Sequence, residues 1–293
     1  MRITYLLIIA TFLLLTSSHS ISISQESEVV RFPRLSAEID PNETYIHELL
    51  LLALENSGTQ YRLVPTEGKM QQARSIYEMT TQHGNVDLIW SMGTDEREAQ
   101  MIAIKIPIDK GLIGWRIPLV KEENAKLFAN VKNLQDLKAY TAGQEHDWPD
   151  TPILRENGVR VITSTSYEPL FNMLQGGRFD YFPRSMFEIW SEFAAHPKHR
   201  LHIDPYIILH YPAAYYFFVT PRRPKLANDL RLGLEIAIKD GTFESLFQKH
   251  NQISITKANL KHRTVIEMKN PLIQNNKAFK SGPEYRPELW FQP

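Results

Sequence analysis

Val86-Asp-Leu-Ile-Trp-Ser-Met-Gly-Thr-Asp-Glu-Arg97 is the most informative segment of the chain, because an apolar run ends there in a small-residue turn followed by an arginine. The run from Val86 to Trp90 predicts a buried strand, and Gly93 and Thr94 predict the turn after it. Such a turn leaves backbone N–H groups pointing outward, and a guanidinium beside them binds a carboxylate through two parallel hydrogen bonds. The pattern predicts an anion-binding site with Arg97 as its charged group. The alternative is a surface arginine paired with one of the two acidic residues before it.

The first twenty residues have the pattern of a secretory signal peptide. Arg2 is the only charge before Glu26, and it precedes an apolar run from Tyr5 to Leu15. Ser18 and Ser20 then have the small-residue spacing of a cleavage site. We predict cleavage after Ser20 and a periplasmic protein. A retained N-terminal anchor is the alternative, although the run is shorter than the roughly 20 residues that a spanning helix needs.

Composition limits the class of function. The chain has 33 basic and 33 acidic residues, so it lacks the basic excess of a nucleic-acid-binding protein. It has no cysteine, which leaves no disulfide framework and no thiolate chemistry. Its 293 residues suffice for two lobes with separate cores. Small neutral or singly charged solutes remain as ligands, and we predict no cofactor and no metal.

Strand and helix patterns alternate along the chain, which is typical of parallel sheets with crossover helices. We predict a first lobe from residues 28–109 and 205–250, a second lobe from 110–204, and a C-terminal tail, 251–293, packed on the body. The alternative for the tail is disorder. Two crossings between the lobes form a hinge beside an interlobe cleft. One of them is the apolar run 206–219, and a second series of strands and helices begins with a strand at 138–142.

Four segments in order resemble the periplasmic solute-binding proteins of the amino-acid-binding, family 3-like type. Asp87 to Arg97 resembles the strand and Gly-Thr turn before their ligand arginine, and Asn133 to Gly143 resembles the entry to their second lobe. Gly176-Gly-Arg-Phe-Asp180 resembles their "GRxDA" step, and Ala237 to Phe247 is similar to their closing "DGTYxxIxxKW" helix. The resemblance covers almost the whole chain after Ser20.

The resemblance implies an α/β, two-lobed type II periplasmic binding fold that closes by hinge bending on a small ligand. It implies that Arg97 holds a ligand carboxylate, and that a monomer delivers the ligand to a membrane permease for ABC-type uptake. A ligand-sensing partner of a membrane signalling protein is the alternative. From these motifs and the polar loop after the second lobe's first strand, we predict as ligand-binding residues Arg97, Arg184, Trp90, Ser91, Gly93, Thr94, Gly143, Gln144 and Trp148.

Arg184 departs from the family's pattern. Amino-acid binders commonly have, in the strand after the "GRxDA" step, an aspartate that holds the ligand ammonium, but here that strand reads Phe179-Asp-Tyr-Phe-Pro-Arg-Ser185. A guanidinium repels an ammonium, so Arg97 and Arg184 together favour an organic anion such as a dicarboxylate. The alternative is that Arg184 faces solvent or pairs with Glu188, one helical turn away.

The two tryptophans have two interpretations. Trp90 ends a strand, where open α/β sheets place ligands, and Trp148 lies in a polar loop. Both can stack on an organic ligand, with backbone donors from Gly143 and Gln144 nearby. The alternative is that the two rings are ordinary core residues.

Catalytic motifs are absent from the sequence, and we predict a binding protein and not an enzyme. Glu145, His146 and Asp147 bring acid and base groups together in the expected cleft loop, so a periplasmic dehydratase-type enzyme is a minor alternative. The histidines at 196, 199 and 202 have a spacing that could suggest a metal site. They follow two alanines and include Pro197, which favours a solvated loop.

Overall fold

The computed structural model of the chain describes residues 27–34, 41–274 and 285–293. The predicted signal peptide, 1–20, and residues 275–284 of the expected tail lie outside the described residues. Its strands are β1 (Glu28–Arg34), β2 (Tyr61–Lys69), β3 (Leu88–Met92), β4 (Ile102–Ile104), β5 (Trp115–Lys121), β6 (Thr141–Glu145), β7 (Arg160–Ser164), β8 (Tyr181–Ser185), β9 (Leu201–Ile203), β10 (Ile207–His210), β11 (Tyr215–Val219) and β12 (Thr264–Glu267). Its α-helices are α1 (Pro41–Asn56), α2 (Gln72–Thr80), α3 (Asp95–Gln100), α4 (Leu134–Leu137), α5 (Asp150–Glu156), α6 (Glu168–Gln175), α7 (Ile189–Ala195), α8 (Pro224–Asp240) and α9 (Thr242–Ala258).

The first lobe contains two short sheets side by side. Strand β1 pairs in parallel with β2, and β11 pairs antiparallel with β3 and β4. Arg31 and Asp87 join the two sheets, because each backbone N–H donates at 2.8 Å to an oxygen of the other residue. Helices α1, α8 and α9 pack together in this lobe. Gly233 permits the close approach of α8 to α1, since a Cβ there would lie 1.7 Å from the Ala53 carbonyl oxygen.

The second lobe is built on the larger sheet, in the order β12-β10-β5-β8-β6-β7, with β9 paired to β5. Strand β5 is antiparallel to β8, and β6 is parallel to β7 and β8. Phe128, Phe171, Tyr181 and Phe182 are fully buried in its core. Strand β6 ends at Glu145, and the loop after it contacts the first lobe through Asp147 and the Ala73 N–H. Within the described ranges, no helix is long and apolar enough to cross a membrane.

The chain passes between the lobes twice, before β5 and again between β10 and β11. Asp109 joins the two crossings: its buried carboxylate accepts hydrogen bonds from the N–H groups of Gly111, Ile113 and Tyr215 at 2.7–3.1 Å. The Tyr45 hydroxyl of α1 donates to the Ile108 carbonyl at the same place. The hinge region is thus held by one carboxylate that both crossings share.

One apolar run is divided between two sheets, and two predicted elements were wrong in detail. The run 206–219 is two strands in different sheets, because the chain turns at Tyr211-Pro-Ala-Ala214, where proline has no N–H to donate to a ladder. The chain after His250 continues as helix to Ala258 and then forms β12, which pairs with β10. The strand predicted at 138–142 is β6, which begins three residues later, so Gly143 and Gln144 lie in a strand and not in a loop.

Candidate ligand-binding site

A cavity of about 180 Å³ lies between the two lobes. Both lobes contribute to its wall, and two hydrogen bonds cross beside it: Asp147 Oδ2 accepts from the Ala73 N–H at 3.1 Å, and Gln71 Nε2 donates to the Thr165 carbonyl at 2.9 Å. The volume corresponds to about six water molecules, which is the scale of a small solute. We call it the interlobe cavity. Its polar and aromatic wall comprises Gln71, Gln72, Ser75, Trp90, Arg116, Glu145, Trp148, Asp150, Tyr167, Arg184, Glu188, Glu192 and Tyr215.

Arg97 lies in α3, a short helix that begins directly after the predicted turn. Thr94 caps this helix by accepting from the Arg97 N–H at 3.2 Å. The guanidinium donates to Ser91 Oγ at 2.5 Å, to the Met92 carbonyl at 3.1 Å and to Gln72 Oε1 at 2.5 Å. Arg97 is only 8% exposed. Its side chain thus joins α3 to β3 and α2.

All three partners of the Arg97 guanidinium are neutral, and within the described part of the chain it forms no ion pair. The alternative in which Arg97 pairs with Asp95 or Glu96 is therefore wrong. Burial lowers the pKa of Arg97 to about 10, against the opposing influence of nearby acidic groups. The side chain does not line the interlobe cavity. Its partner Gln72 does, so Arg97 lies one residue behind the cavity wall.

Arg184 of β8 lines the interlobe cavity and is already neutralised. It is 5% exposed, and it forms a bidentate pair with Glu192 at 2.6 and 2.7 Å. Glu188 lies 3.1 Å from the same guanidinium. The guanidinium also lies over the Trp148 ring, 4.7 Å from its centre. The alternative interpretation, in which Arg184 pairs with Glu188, is thus confirmed, and Glu192 is a further partner.

A second buried network surrounds Arg116 of β5, which the sequence analysis did not identify. Arg116 lies 2.6 Å from Asp150 and 3.3 Å from Glu188. The Tyr211 hydroxyl accepts from Arg116 Nε at 3.0 Å and donates to Asp150. Burial and the neighbouring carboxylate of Asp150 raise the pKa of Tyr211 well above its usual value, although Arg116 opposes this. The two arginine networks meet at Glu188.

Glu145 ends β6 and is 5% exposed. Burial, with Asp147 nearby, raises the pKa of the Glu145 carboxyl to about 7, although Arg184 opposes this. Within the described residues, its carboxyl group has no hydrogen-bond donor and no ion pair. The sequence predicted Glu145 only as one of several acidic and basic residues in the expected cleft loop. The spacing of Arg184, Glu188 and Glu192 by four residues was the signal that could have predicted the other acidic groups of the wall.

The remaining predicted residues fall into two groups. Trp90 and Trp148 line the interlobe cavity. The others do not: Ser91 binds Arg97, and the Gly93 N–H already donates to the Ala214 carbonyl at 3.0 Å. Thr94 caps α3, while Gly143 lies beneath the Phe179 ring and Gln144 is fully buried in β6. The Gly93 N–H is therefore not available to a ligand in this form.

The histidine set has structural partners. His196 lies 3.2 Å from Glu168 and stacks on Phe171, and His199 lies 3.1 Å from the Asn172 side chain. In the described ranges, no group of three metal-ligating side chains is arranged to hold a metal ion.

Comparison with known proteins finds likeness in structure alone. No protein-family model matches the sequence, and comparison with curated proteins finds no match. An ancestral arginine-binding protein bound to arginine is 18% identical, with a TM-score of 0.55, and the match covers 76% of this chain and 97% of that one. The GluR0 ligand-binding core from Nostoc punctiforme in complex with L-glutamate is 17% identical, with a TM-score of 0.54, 76% of this chain and 98% of that one being covered.

A histidine kinase sensor domain with similarity to periplasmic binding proteins is 16% identical, with a TM-score of 0.57, and the match covers 77% of this chain and 96% of that one. At identities this low, the likeness shows the fold of the chain alone and does not identify a ligand. The chain has the two-lobed α/β fold of the periplasmic binding proteins, the type II periplasmic binding fold.

Proposed function

We propose that the chain is a periplasmic solute-binding protein that closes its lobes on a small organic solute and presents the closed form to a membrane importer. The observation that carries this proposal is the interlobe cavity, whose wall combines charged and aromatic side chains from both lobes. A ligand that contacts both lobes stabilises the closed form by its differential contacts. The predicted signal peptide supports a periplasmic location.

The proposed lobes follow the predicted division with one refinement. Residues 28–109 and 205–250 form the first lobe in the prediction, and 110–204 form the second. Because β10 and β12 pair within the larger sheet, we place the return crossing at residues 211–214 and assign the segment with β12 to the second lobe. Asp109 then lies where both crossings meet. We also propose that the protein acts as a monomer.

The ligand that we propose is amino-acid-like, and the structure weakens the case for a dicarboxylate. A ligand with two anionic ends needs Arg97 and Arg184 both free to bind it. Arg184 is paired with two carboxylates, and Arg97 lies behind Gln72. We propose that Trp90, Trp148 and Arg184 contact the ligand, and that Arg97 reaches a ligand carboxylate when the Gln72 side chain moves aside.

A thermal-shift screen of the purified protein tests this proposal. The panel contains amino acids, amines, dicarboxylates, keto acids, sugars and small peptides. A ligand at 100 times its Kd adds about 2.7 kcal/mol to the unfolding free energy, so a true ligand raises Tm clearly. Absence of any shift across the panel would contradict a solute-binding role.

Sensing is the second candidate, and the fold likeness to a histidine kinase sensor domain favours it. Permease and ATPase genes beside this one would favour uptake, whereas a signalling gene would favour sensing. A dehydratase-type activity would appear as conversion of a bound solute when the mixture is followed by NMR; we expect the solute to be recovered unchanged.

A further inference from the structure

We propose that the interlobe cavity selects a ligand with a cationic nitrogen, an amine or a guanidine, and that Glu145 is the residue that pairs with it. This inference rests on the proposed function and names its class of ligand. It reverses the expectation of an organic anion. The charges of the cavity wall, the position of Glu145 and the aromatic rings around the cavity all favour a cation.

The described wall of the interlobe cavity has more carboxyl groups than guanidinium groups. Glu145, Asp150, Glu188 and Glu192 contribute four carboxyls, and Arg116 and Arg184 contribute two guanidiniums. Both guanidiniums are engaged: the shortest distances are 2.6 Å from Arg116 to Asp150 and 2.6 Å from Arg184 to Glu192. Glu188 bridges the two at 3.3 and 3.1 Å. An anion that enters the cavity would be repelled by these carboxylates, because both guanidiniums that could attract it are already paired with them.

Glu145 is the carboxyl left outside these networks. It lines the cavity, is 95% buried, and has no hydrogen-bond donor or ion pair among the residues that the structure describes. A buried carboxylate without a partner is costly, and a cation that reaches it relieves that cost. A ligand nitrogen in the cavity would therefore gain a charge-assisted hydrogen bond at this position.

Aromatic rings around the cavity suit a cation. Trp90, Trp148, Tyr167 and Tyr215 line the wall, and ring faces attract positive charge. Arg184 already uses this attraction, with its guanidinium 4.7 Å from the centre of the Trp148 ring and 5.6 Å from that of Tyr167. Trp90 enters from the first lobe, so a cation near it would contact both lobes on closure.

The test compares size-matched panels in the thermal-shift assay: amines from ethanolamine to agmatine, and carboxylic acids from glycolate to glutarate. We expect amines to raise Tm and acids without a nitrogen to leave it unchanged. For the amine that gives the largest shift, Glu145→Gln should weaken binding at pH 8 at least tenfold, while Glu145→Asp stays within about threefold. Glu123→Gln, at an exposed position of the same lobe, is the matched control and should bind as wild type.

The pH profile is a second readout that a merely structural role would not move. Two charged groups act on Glu145: Asp147 raises its pKa and Arg184 lowers it. The other titratable groups of the cavity wall are Arg116, Asp150, Tyr167, Glu188, Glu192 and Tyr215. Because the carboxyl titrates near pH 7 and must lose its proton to pair with a cation, amine affinity should rise about tenfold from pH 6 to pH 8. Glu145→Gln should abolish that rise.

The outcomes separate this inference from the proposed function. If acids or neutral solutes bind and amines do not, solute binding stands and the cationic ligand class is wrong. Amine binding that is unchanged in Glu145→Gln would refute the role of Glu145. If no solute of either panel, nor of the wider screen, shifts Tm, the proposed function fails and this inference fails with it.

Discussion

At the scale of single residues, Arg97 has a structural role that its sequence context did not suggest. Its guanidinium joins α3 to β3 and α2 through three neutral acceptors, and it is almost completely buried. Hydrogen bonds from a charged donor are stronger than neutral ones. Arg97 therefore stabilises the first lobe whether or not it also reaches a ligand.

We predict that Arg97→Ala lowers the unfolding free energy of the ligand-free protein by about 2–4 kcal/mol, because it leaves buried acceptors unpaired and creates a cavity. Urea denaturation monitored by tryptophan fluorescence measures this. Arg231→Ala, an exposed arginine bonded to Asn228, is the control and should stay within about 0.5 kcal/mol of wild type. Wild-type stability of Arg97→Ala would show that the three bonds contribute nothing net, and would favour a role confined to the ligand.

Asp109 makes a second residue-scale prediction through its titration. Burial raises the pKa of Asp109 to about 6, although three backbone N–H groups oppose this. A folded-state pKa above the unfolded value of 3.8 means that the folded state binds more protons between these values. The resulting stabilisation is fully present below pH 3.8 and is lost as pH rises through about 6.

Relative to Asp109→Asn, the wild-type protein should therefore gain about 1–1.5 kcal/mol of unfolding free energy between pH 7.5 and pH 5. Parallel urea titrations of the two proteins at both pH values measure the difference. If the difference between the two proteins is the same at pH 5 and pH 7.5, the Asp109 carboxyl titrates near its ordinary value.

At the scale of elements, α2 depends on the opposite lobe for its N-terminal cap. Gln71 precedes the helix and makes no side-chain cap. Asp147, across the cleft, accepts instead from the Ala73 N–H at 3.1 Å. A side chain of the second lobe thus satisfies a helix of the first lobe only when the lobes are closed.

We predict that Asp147→Ala destabilises the closed form by about 1 kcal/mol relative to the open form, which is the usual contribution of a helix cap. The open form then gains about fivefold in relative population. Small-angle X-ray scattering of the ligand-free protein should show a larger radius of gyration. Asp240→Ala removes a cap that lies within the first lobe, where Asp240 accepts from Thr242, and should leave the radius unchanged. Equal radii for wild type and Asp147→Ala would contradict a closing role for this contact.

At the scale of the whole molecule, the C-terminal residues connect the first lobe to the hinge. Arg286 pairs with Glu235 of α8 at 2.7 Å, and the Phe291 N–H donates to the Lys110 carbonyl at 2.8 Å. The Trp290 ring lies directly on Gly111, where a Cβ would approach it within 2.6 Å. The last residues therefore support the first crossing from outside the interlobe cavity.

We predict that Trp290→Ala lowers the unfolding free energy by about 2 kcal/mol and speeds hydrogen exchange of the amides at residues 110–114. Mass spectrometry of a peptide that covers this crossing measures the exchange. Ile253→Ala, at an exposed position of α9, should change neither quantity. Unchanged exchange in Trp290→Ala would show that the hinge is held without the C-terminal segment.

Most of the fold was predictable from local pattern. The alternation of strands and helices, the helix over α8 and the strand before Arg97 follow from hydrophobic periodicity and from the positions of glycine and proline, which act over a few residues. Boundaries were harder to predict where tertiary pairing decided them. The chain at 206–219 reads as a single apolar run, yet its two halves pair with different sheets. Strand β12 forms only because β10 offers it an edge.

The candidate site, like the fold, was predictable from local pattern only in part. Local pattern was enough to predict an arginine after the turn that follows β3, a strand close to Arg184, and an acidic residue one helical turn beyond it. Contacts between distant segments place Gln72 between Arg97 and the cavity and join Arg116 to the Glu188 network. They also bury Glu145 without a partner among the described residues. The physical reason is that burial and charge pairing depend on distances between segments far apart in the chain, whereas local pattern specifies only the elements that carry those side chains.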